Sequence, residues 1–277
     1  MPELPEVELV ARALNSLISG RTIIAAELLR ERLAPNLAPA DFEKTLSPST
    51  VNFVHRRGKH VLFDLSNGFT LITHLRMSGR FLVLPPEREN PKFTHAIFSF
   101  RDGSRLVFQD QRHFGYMNVV PTGKLAETKE IRKLAPEPFS DNFDLEYLRR
   151  VSRASGRSIK EFLLDQSKVC GLGNIYAVEA LFRARIRPSA RASRLSRIRT
   201  AALLESIRST LKDAVDAGST LNVNPENIDG SYNGGSFESL WKVYDREGKG
   251  CAECSARIVR IRQGSRSSYY CPNCQKR

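Results

Sequence analysis

Apolar positions change their period twice along this chain. Over residues 6–19 they recur at helical spacing: Val7, Val10, Ala11, Leu14, Leu17 and Ile18 share one face, and Gly20 is placed to end the helix. From about residue 21 to 120 the pattern is strand-like. Residues 51–55, 60–65, 69–74, 81–84, 96–100 and 106–109 are short runs rich in β-forming side chains. Ser66-Asn67-Gly68 and Asp102-Gly103-Ser104 supply turns between such runs. A series of strands of this kind predicts an antiparallel sandwich or flattened barrel. Helical spacing returns over 144–151, 158–164, 175–182 and about 196–215. Between the two regimes, residues 121–144 carry Pro136 and Pro138 and read as a linker.

Length and composition fit that division. A chain of 277 residues with 41% hydrophobic content can bury a real core and suggests two domains. No apolar run approaches the roughly 20 residues a membrane helix needs. No cleavable targeting segment is visible, so a cytoplasmic protein without membrane contact is expected. Charge adds an asymmetry. Residues 1–148 hold 19 Lys/Arg and 18 Asp/Glu, a net of +1; residues 149–277 hold 24 and 12, a net of +12. The excess of +13 implies an acidic partner, most simply nucleic acid gripped by the second half.

The strongest local pattern is at the end. Cys251 and Cys254, then sixteen residues, then Cys271 and Cys274 make two Cys-x2-Cys pairs. In a cytosolic protein this spacing argues for one four-thiolate structural Zn2+ ion, not disulfides. Four thiolates close the tetrahedron, so this zinc has no open catalytic position. Cys170 is left over as a buried thiol. Arg257, Arg260, Arg262 and Arg266 lie between the pairs, on a predicted strand–turn–strand hairpin.

The first eight residues carry candidate chemistry of another kind. A small residue at position 2 allows removal of Met1, which leaves Pro2 as a free secondary amine. Chain amines have pKa values near 7.7–8.0, so roughly a tenth is unprotonated at pH 7, far more than for lysine. Such an amine is a ready nucleophile and forms a charged iminium with a sugar aldehyde carbon. Glu3 and Glu6 are placed to move protons. Pro2, Pro5 and the acids also suit an ordinary helix start.

Other candidates are weaker singly. Lys59 follows Arg56-Arg57-Gly58 at a tight turn, where it meets a phosphate or solvent. Met77 among basic residues, and Phe114 in the loop Asp110-Gln111-Arg112-His113-Phe114-Gly115, read as core or as exposed wedges. Gly171 and Gly173 allow a tight turn before Asn174 opens a helix, whose first N–H groups suit phosphate. Residues 218–237 are rich in Gly, Asn and Ser and read as a mobile loop.

Taken together, Met1-Pro2-Glu3-Leu4-Pro5-Glu6, the linker sequence at 134–139, the stretch 165–188 and the four cysteines resemble the formamidopyrimidine-DNA glycosylase (Fpg) type of the bacterial Fpg/Nei family, in the right order along the chain. The resemblance implies an α+β multidomain fold. Residues 1–133 would be a catalytic N-terminal antiparallel β-sandwich with an N-terminal helix, and 134–144 the linker. Residues 145–240 would be a helix–two-turns–helix DNA-binding domain with a lesion loop at 218–237, and 241–277 a zinc finger hairpin. It implies a bifunctional glycosylase and lyase of base excision repair that excises oxidised purines from damaged double-stranded DNA. An enzyme acting on a base in a duplex must take it out of the stack. On this resemblance Pro2 is the nucleophile, Glu3 handles protons and Glu6 orients the amine. Lys59, Asn174 and Arg266 hold phosphates. Met77, Arg112 and Phe114 fill the void left by the flipped base. His95 matches a DNA-contacting position, and Arg157 and Lys160, on a basic helix, add phosphate contacts. A monomer associated with the bacterial nucleoid is expected. Three departures stand out: His113 where Arg or Lys is common, Val178 where a polar residue is often found, and Asn222-Val223-Asn224 where Arg-Asp-Tyr often follows Ser-Thr. The rivals are the endonuclease VIII type, which prefers oxidised pyrimidines, and a zinc-dependent DNA-binding protein without catalysis.

Overall fold

The computed structural model describes residues 1–220 and 236–276. The chain divides into two compact units, one of Met1–Arg132 joined by the segment that begins at Gly218, the other of Lys133–Ala217 and the residues from Ser236 on.

In the first unit, helix α1 (Leu4–Ile18) starts two residues earlier than its apolar spacing predicts, because Glu3 caps it. It buries Val7, Val10, Ala11, Leu14 and Ile18 in the core. Gly20, at φ 81°, turns the chain out of the helix, and its N–H bonds to Val51 O. Strand β1 (Thr22–Leu28) and helix α2 (Pro39–Leu46) follow. Seven strands complete the unit: β2 (Ser49–Arg57), β3 (His60–Leu65), β4 (Phe69–His74), β5 (Gly79–Leu84), β6 (Thr94–Phe100), β7 (Arg105–Asp110) and β8 (Tyr116–Pro121). Six of the eight strands are the runs read from the sequence. β1 is an addition, with its period broken by a register shift between Ile23 and Ala25. β8 is the other, where only Met117 and Val119 are buried.

Every strand pair is antiparallel, in the order β5-β7-β6-β1-β2-β3-β4-β8. β1 meets β2 only at Thr22↔Thr50 and Ile23↔Ser49 but runs along β6 as far as Leu28. The sheet therefore hinges at β1 and closes as a sandwich. Phe63 of β3 and Phe81 of β5 meet across it with ring centroids 5.2 Å apart, and Phe81 meets Phe108 at 5.1 Å.

The second unit is helical: α3 (Leu145–Arg153), α4 (Ile159–Leu164), α5 (Asn174–Arg183) and α6 (Arg197–Asp216). Asp144, Ser158 and Ser196 cap α3, α4 and α6 with side-chain oxygens. Between α4 and α5 the Gln166 side chain organises the turns. Its Nε2 donates to Leu164 O and Leu172 O, and its Oε1 accepts from Gly171 N, where φ is 84°. Residues Tyr176–Phe182 of α5 are all buried. Within them, the Glu179 carboxylate accepts the N–H groups of Lys242, Val243 and Tyr244. This fastens the approach to the final hairpin, β9 (Val259–Gln263) with β10 (Arg266–Tyr270), onto the helices. Cys170 is buried, with its thiol 3.7 Å from Glu137 Oε1. No helix among the described residues is long and apolar enough to cross a membrane.

Candidate active site

The amino terminus is built into the first unit. Pro2 is buried, and Glu3 and Glu6 are only 3% and 2% exposed. Glu3 N–H donates to Glu6 Oε2 at 2.7 Å, and the Glu3 side chain reciprocates toward Glu6 N–H, a capping box. The other Glu6 oxygen, Oε1, accepts from Thr220 Oγ1 at 2.9 Å and Thr220 N at 3.4 Å. One carboxylate thus ties the first residues to the point where the 218–237 segment begins. Thr220 was not singled out from the sequence; a hydroxyl beside Gly218 and Ser219 carries no signal of a partner over two hundred positions away. Residues 221–235 of the expected lesion loop lie outside the described residues.

Lys59 sits in the two-residue turn of the β2–β3 hairpin. Gly58 at φ 59° supplies the left-handed conformation that such a turn needs at its first position. The turn is not open to solvent on Lys59, which is buried. Cross-strand neighbours His60 and His74 stand edge to face at 4.8 Å. Burial lowers His60 to about 4. Burial, then the charges of His60, Arg76 and Lys59, lowers His74 to about 2. The two rings are therefore neutral next to Lys59, an arrangement that sequence reasoning did not find.

The void-filling candidates emerge from two loops at one end of the β5–β7 pair, where Gly79 faces Asp110. The fully buried Asp110 carboxylate joins the loops. Its Oδ1 accepts from Ser78 Oγ and from Arg112 N at 3.2 Å, and its Oδ2 accepts from Gly115 N at 2.6 Å. Arg112 N also donates to Ser78 Oγ at 3.0 Å. Both glycines are required for space. A Cβ on Gly79 would lie 2.5 Å from Leu75 O, and one on Gly115 2.7 Å from the Phe108 ring. Met77 and Phe114 are 42% and 54% exposed, and the Arg112 guanidinium stands 5.2 Å from the Phe114 ring centre. Neither is a core residue: both project to solvent.

His95 does not. It is buried, its Nε2 lies 2.9 Å from Asp110 O, and His113 Nδ1 covers that nitrogen at 2.8 Å. It supports the Asp110 loop from within, and the exposed imidazole there is His113.

In the second unit, Asn174 opens α5, and its side-chain Oδ1 is buried without a hydrogen-bond partner among the described residues. Arg266 opens β10, and with exposed Arg157 it lines a recess of about 680 Å3. Arg157 precedes α4 instead of lying on it, and pairs with Asp165 at 3.2 Å. Lys160 lies inside the second unit. It is 1% exposed, and its Nζ donates to Ser267 O and Ser268 Oγ, both at 2.7 Å. A buried amine needs such partners; Lys160 joins α4 to the hairpin.

The four cysteine sulfurs lie within 4.8 Å of one another, with Sγ–Sγ separations of 3.4 Å for Cys254–Cys271 and Cys254–Cys274 and 3.9 Å for Cys251–Cys274. Zn–S bonds of about 2.3 Å in a tetrahedron place sulfurs about 3.8 Å apart, so the donor set fits one structural zinc ion. Cys251 and Cys271 pack with Val178, Phe182, Val243 and Ile258, so the metal completes a small core that would otherwise be thin.

Comparison with known proteins agrees along the whole chain. Residues 1–117 match the formamidopyrimidine-DNA glycosylase N-terminal domain, 134–224 its H2TH domain, and 248–277 the zinc finger found in FPG and IleRS. The formamidopyrimidine-DNA glycosylase of Pelotomaculum thermopropionicum is 40% identical over 100% of this chain and 99% of its own length. That of Cytobacillus firmus is 40% identical over 99% and 100%. Lactococcus lactis Fpg, solved in complex with DNA containing an abasic site, superposes with a TM-score of 0.91 at 32% identity, covering 99% of this chain and 100% of that one. With the buried Pro2–Glu3–Glu6 terminus, the exposed Met77–Arg112–Phe114 set and the four-cysteine centre all in place, the chain belongs to the formamidopyrimidine-DNA glycosylase family, DNA glycosylases of base excision repair.

Proposed function

We propose that this DNA glycosylase excises oxidised purines, chiefly 8-oxoguanine and ring-opened formamidopyrimidines, through a Schiff base on Pro2 followed by β,δ-elimination. The observation that carries the reading is the buried amino terminus, where Pro2 lies beside two carboxyl groups and Glu6 is bonded to both Glu3 N–H and Thr220. After loss of Met1, the Pro2 nitrogen attacks the sugar C1′ and the base leaves from that carbon. Glu3 gives a proton to the sugar as its ring opens to the iminium. The iminium acidifies the C2′ proton, whose removal expels one strand end by β-elimination; δ-elimination then expels the sugar. Glu6 orients the amine segment. Lys59, Asn174, Arg157 and Arg266 hold phosphates, and Met77, Arg112 and Phe114 occupy the vacated stack.

In this reading residues 1–133 are the catalytic domain, 134–144 the linker, 145–240 the DNA-binding domain with its lesion loop at 218–237, and 241–277 the zinc finger. The enzyme works as a monomer in the bacterial cytoplasm, on the nucleoid.

Borohydride reduction during turnover on an 8-oxoguanine duplex should trap a covalent adduct on Pro2. A Pro2→Gly variant, or protein that retains Met1, should give none. Binding without trapping by the wild-type protein would overturn the mechanism, and faster base release from thymine glycol than from 8-oxoguanine would overturn the substrate class.

A further inference from the structure

Residues 183–199 contain seven arginines and no acidic residue. Five of the seven are engaged within the second unit. Arg183 pairs with Asp213 at 2.7 Å, Arg185 reaches Glu253 at 3.5 Å, and Arg197 pairs with Glu146 at 2.8 Å. Arg187 donates to Tyr270 Oη at 2.9 Å, and Arg199 reaches Lys276 O at 3.5 Å. Arg191 and Arg194 remain. Both are exposed, and neither has a carboxylate within salt-bridge distance among the described residues.

Their position is what separates them from ordinary surface charge. The segment that carries them is fastened by backbone to the start of α4. Arg191 forms a β-bridge with Ser158, Ile159 N donates to Ala190 O at 2.7 Å, and Ala192 N donates to Arg157 O at 3.1 Å. Bridged Cα atoms lie about 5 Å apart, so the Arg191 backbone stands across from Ser158 and one residue along from Arg157. The hairpin tip joins the same junction. Gln263 Nε2 donates to Ser158 Oγ at 3.1 Å and to Pro188 O at 3.3 Å, and Arg157 shares its recess with Arg266. Arg191 is the N-cap of a short 3-10 helix, Ala192–Arg194, and Arg194 is its last residue, so the two stand three residues apart within a single turn.

We propose that Arg191 and Arg194 extend the DNA-binding strip that Arg266 and Arg157 begin, and hold backbone phosphates of the duplex outside the lesion's own flanks. The inference rests on the reading of Arg157 and Arg266 as phosphate ligands. Its ligand is the sugar–phosphate backbone of double-stranded DNA, read without regard to sequence. Guanidinium groups suit this because they bind phosphate in bidentate fashion and remain charged. The backbone bonds hold the strip rigid, so little ordering is needed on binding.

The test uses the full zinc-loaded chain and two lesion duplexes, one ending just past the lesion's flanking phosphates and one extended by a helical turn on each side. Wild-type protein should bind the long duplex more tightly than the short one. Arg191→Gln with Arg194→Gln should remove most of that gain, about tenfold at low salt, and lower the slope of log affinity against log salt by about 2, since each lost phosphate contact is worth about 0.9. Binding to the short duplex, single-turnover base release at saturation and thermal stability should be unchanged, and the charge-preserving double variant, Arg191→Lys with Arg194→Lys, should recover the slope. An unchanged slope in the Gln variant, beside a weakened Arg266→Gln control, would overturn this inference and leave the parent reading standing. If Arg266→Gln also binds like wild type, the parent reading fails as well. Equal loss on the short and long duplexes would place the two arginines elsewhere and would also overturn the proposal.

Discussion

The Glu6 carboxylate serves two stretches of backbone at once. It accepts from Glu3 N–H through one oxygen and from Thr220 through the other. An amide in its place keeps one acceptor and turns an N–H2 toward a donor, which costs about 1–3 kcal/mol for a buried group. Glu6→Gln should therefore slow formation of the trapped adduct by about one to two orders of magnitude while zinc content and DNA affinity hold. Rapid-quench measurement of borohydride trapping checks this, and a wild-type rate would remove Glu6 from the positioning of Pro2. The same residue marks how far single positions can be read. An acid one helical turn after Glu3 is legible as a capping or proton-handling group, because its spacing from the helix start is local. Its bond to Thr220 is not legible, because it depends on a tertiary approach. Lys160 and His95 go the other way: charge and family position mark both for DNA, yet packing places both inside.

At the scale of elements, local periodicity was enough where one element's own spacing decides its fate. The face of α1 and the two Cys-x2-Cys pairs are of this kind. β1 and α2 were missed for opposite reasons. β1 breaks its alternation at a bulge, and α2 buries only Phe42 and Leu46 of eight residues, too few for a helical stripe. The pair of loops held by Asp110 lies between these cases. Their residues were visible as candidates, but not the buried carboxylate that joins them. The join has little slack, because a Cβ on Gly115 would press on Phe108 at 2.7 Å and on Asp110 Oδ2 at 3.1 Å. Gly115→Ala should cost about 1–3 kcal/mol, as overpacking does, and lower the melting temperature by several degrees. Because the strain falls on the loop of Arg112 and Phe114, base release from a paired lesion should slow more than cleavage at a ready-made abasic site. Equal slowing on both substrates would show that the loop does not act in base extrusion.

Over the whole molecule, charge divides the labour. The second half carries nearly all of the net +13, while all five histidines, His55, His60, His74, His95 and His113, are in the first unit. Mild acid therefore acts through histidine on the first unit alone. His60 and His74 have native pKa values lowered to about 4 and about 2, chiefly by burial, against 6.5 for the free ring. Below pH 6.5 the unfolded chain takes up protons that these native rings refuse. Stability is therefore complete above pH 6.5 and declines as pH falls through 4. One pKa unit is worth about 1.4 kcal/mol, so the pair withdraws roughly 3–6 kcal/mol by pH 4, a large share of a typical domain's stability. Thiolate protonation loosens zinc in the second unit over acid pH too, so a global melting curve would mix the two effects. Hydrogen exchange at β3 and β4 isolates the first. Protection there should fall as pH drops from 6.5 to 4, after correction for intrinsic exchange, and the His60→Gln, His74→Gln double variant should flatten that dependence. If the variant keeps the wild-type slope, acid sensitivity originates outside this pair, and the two imidazoles beside Lys59 are not held neutral by burial.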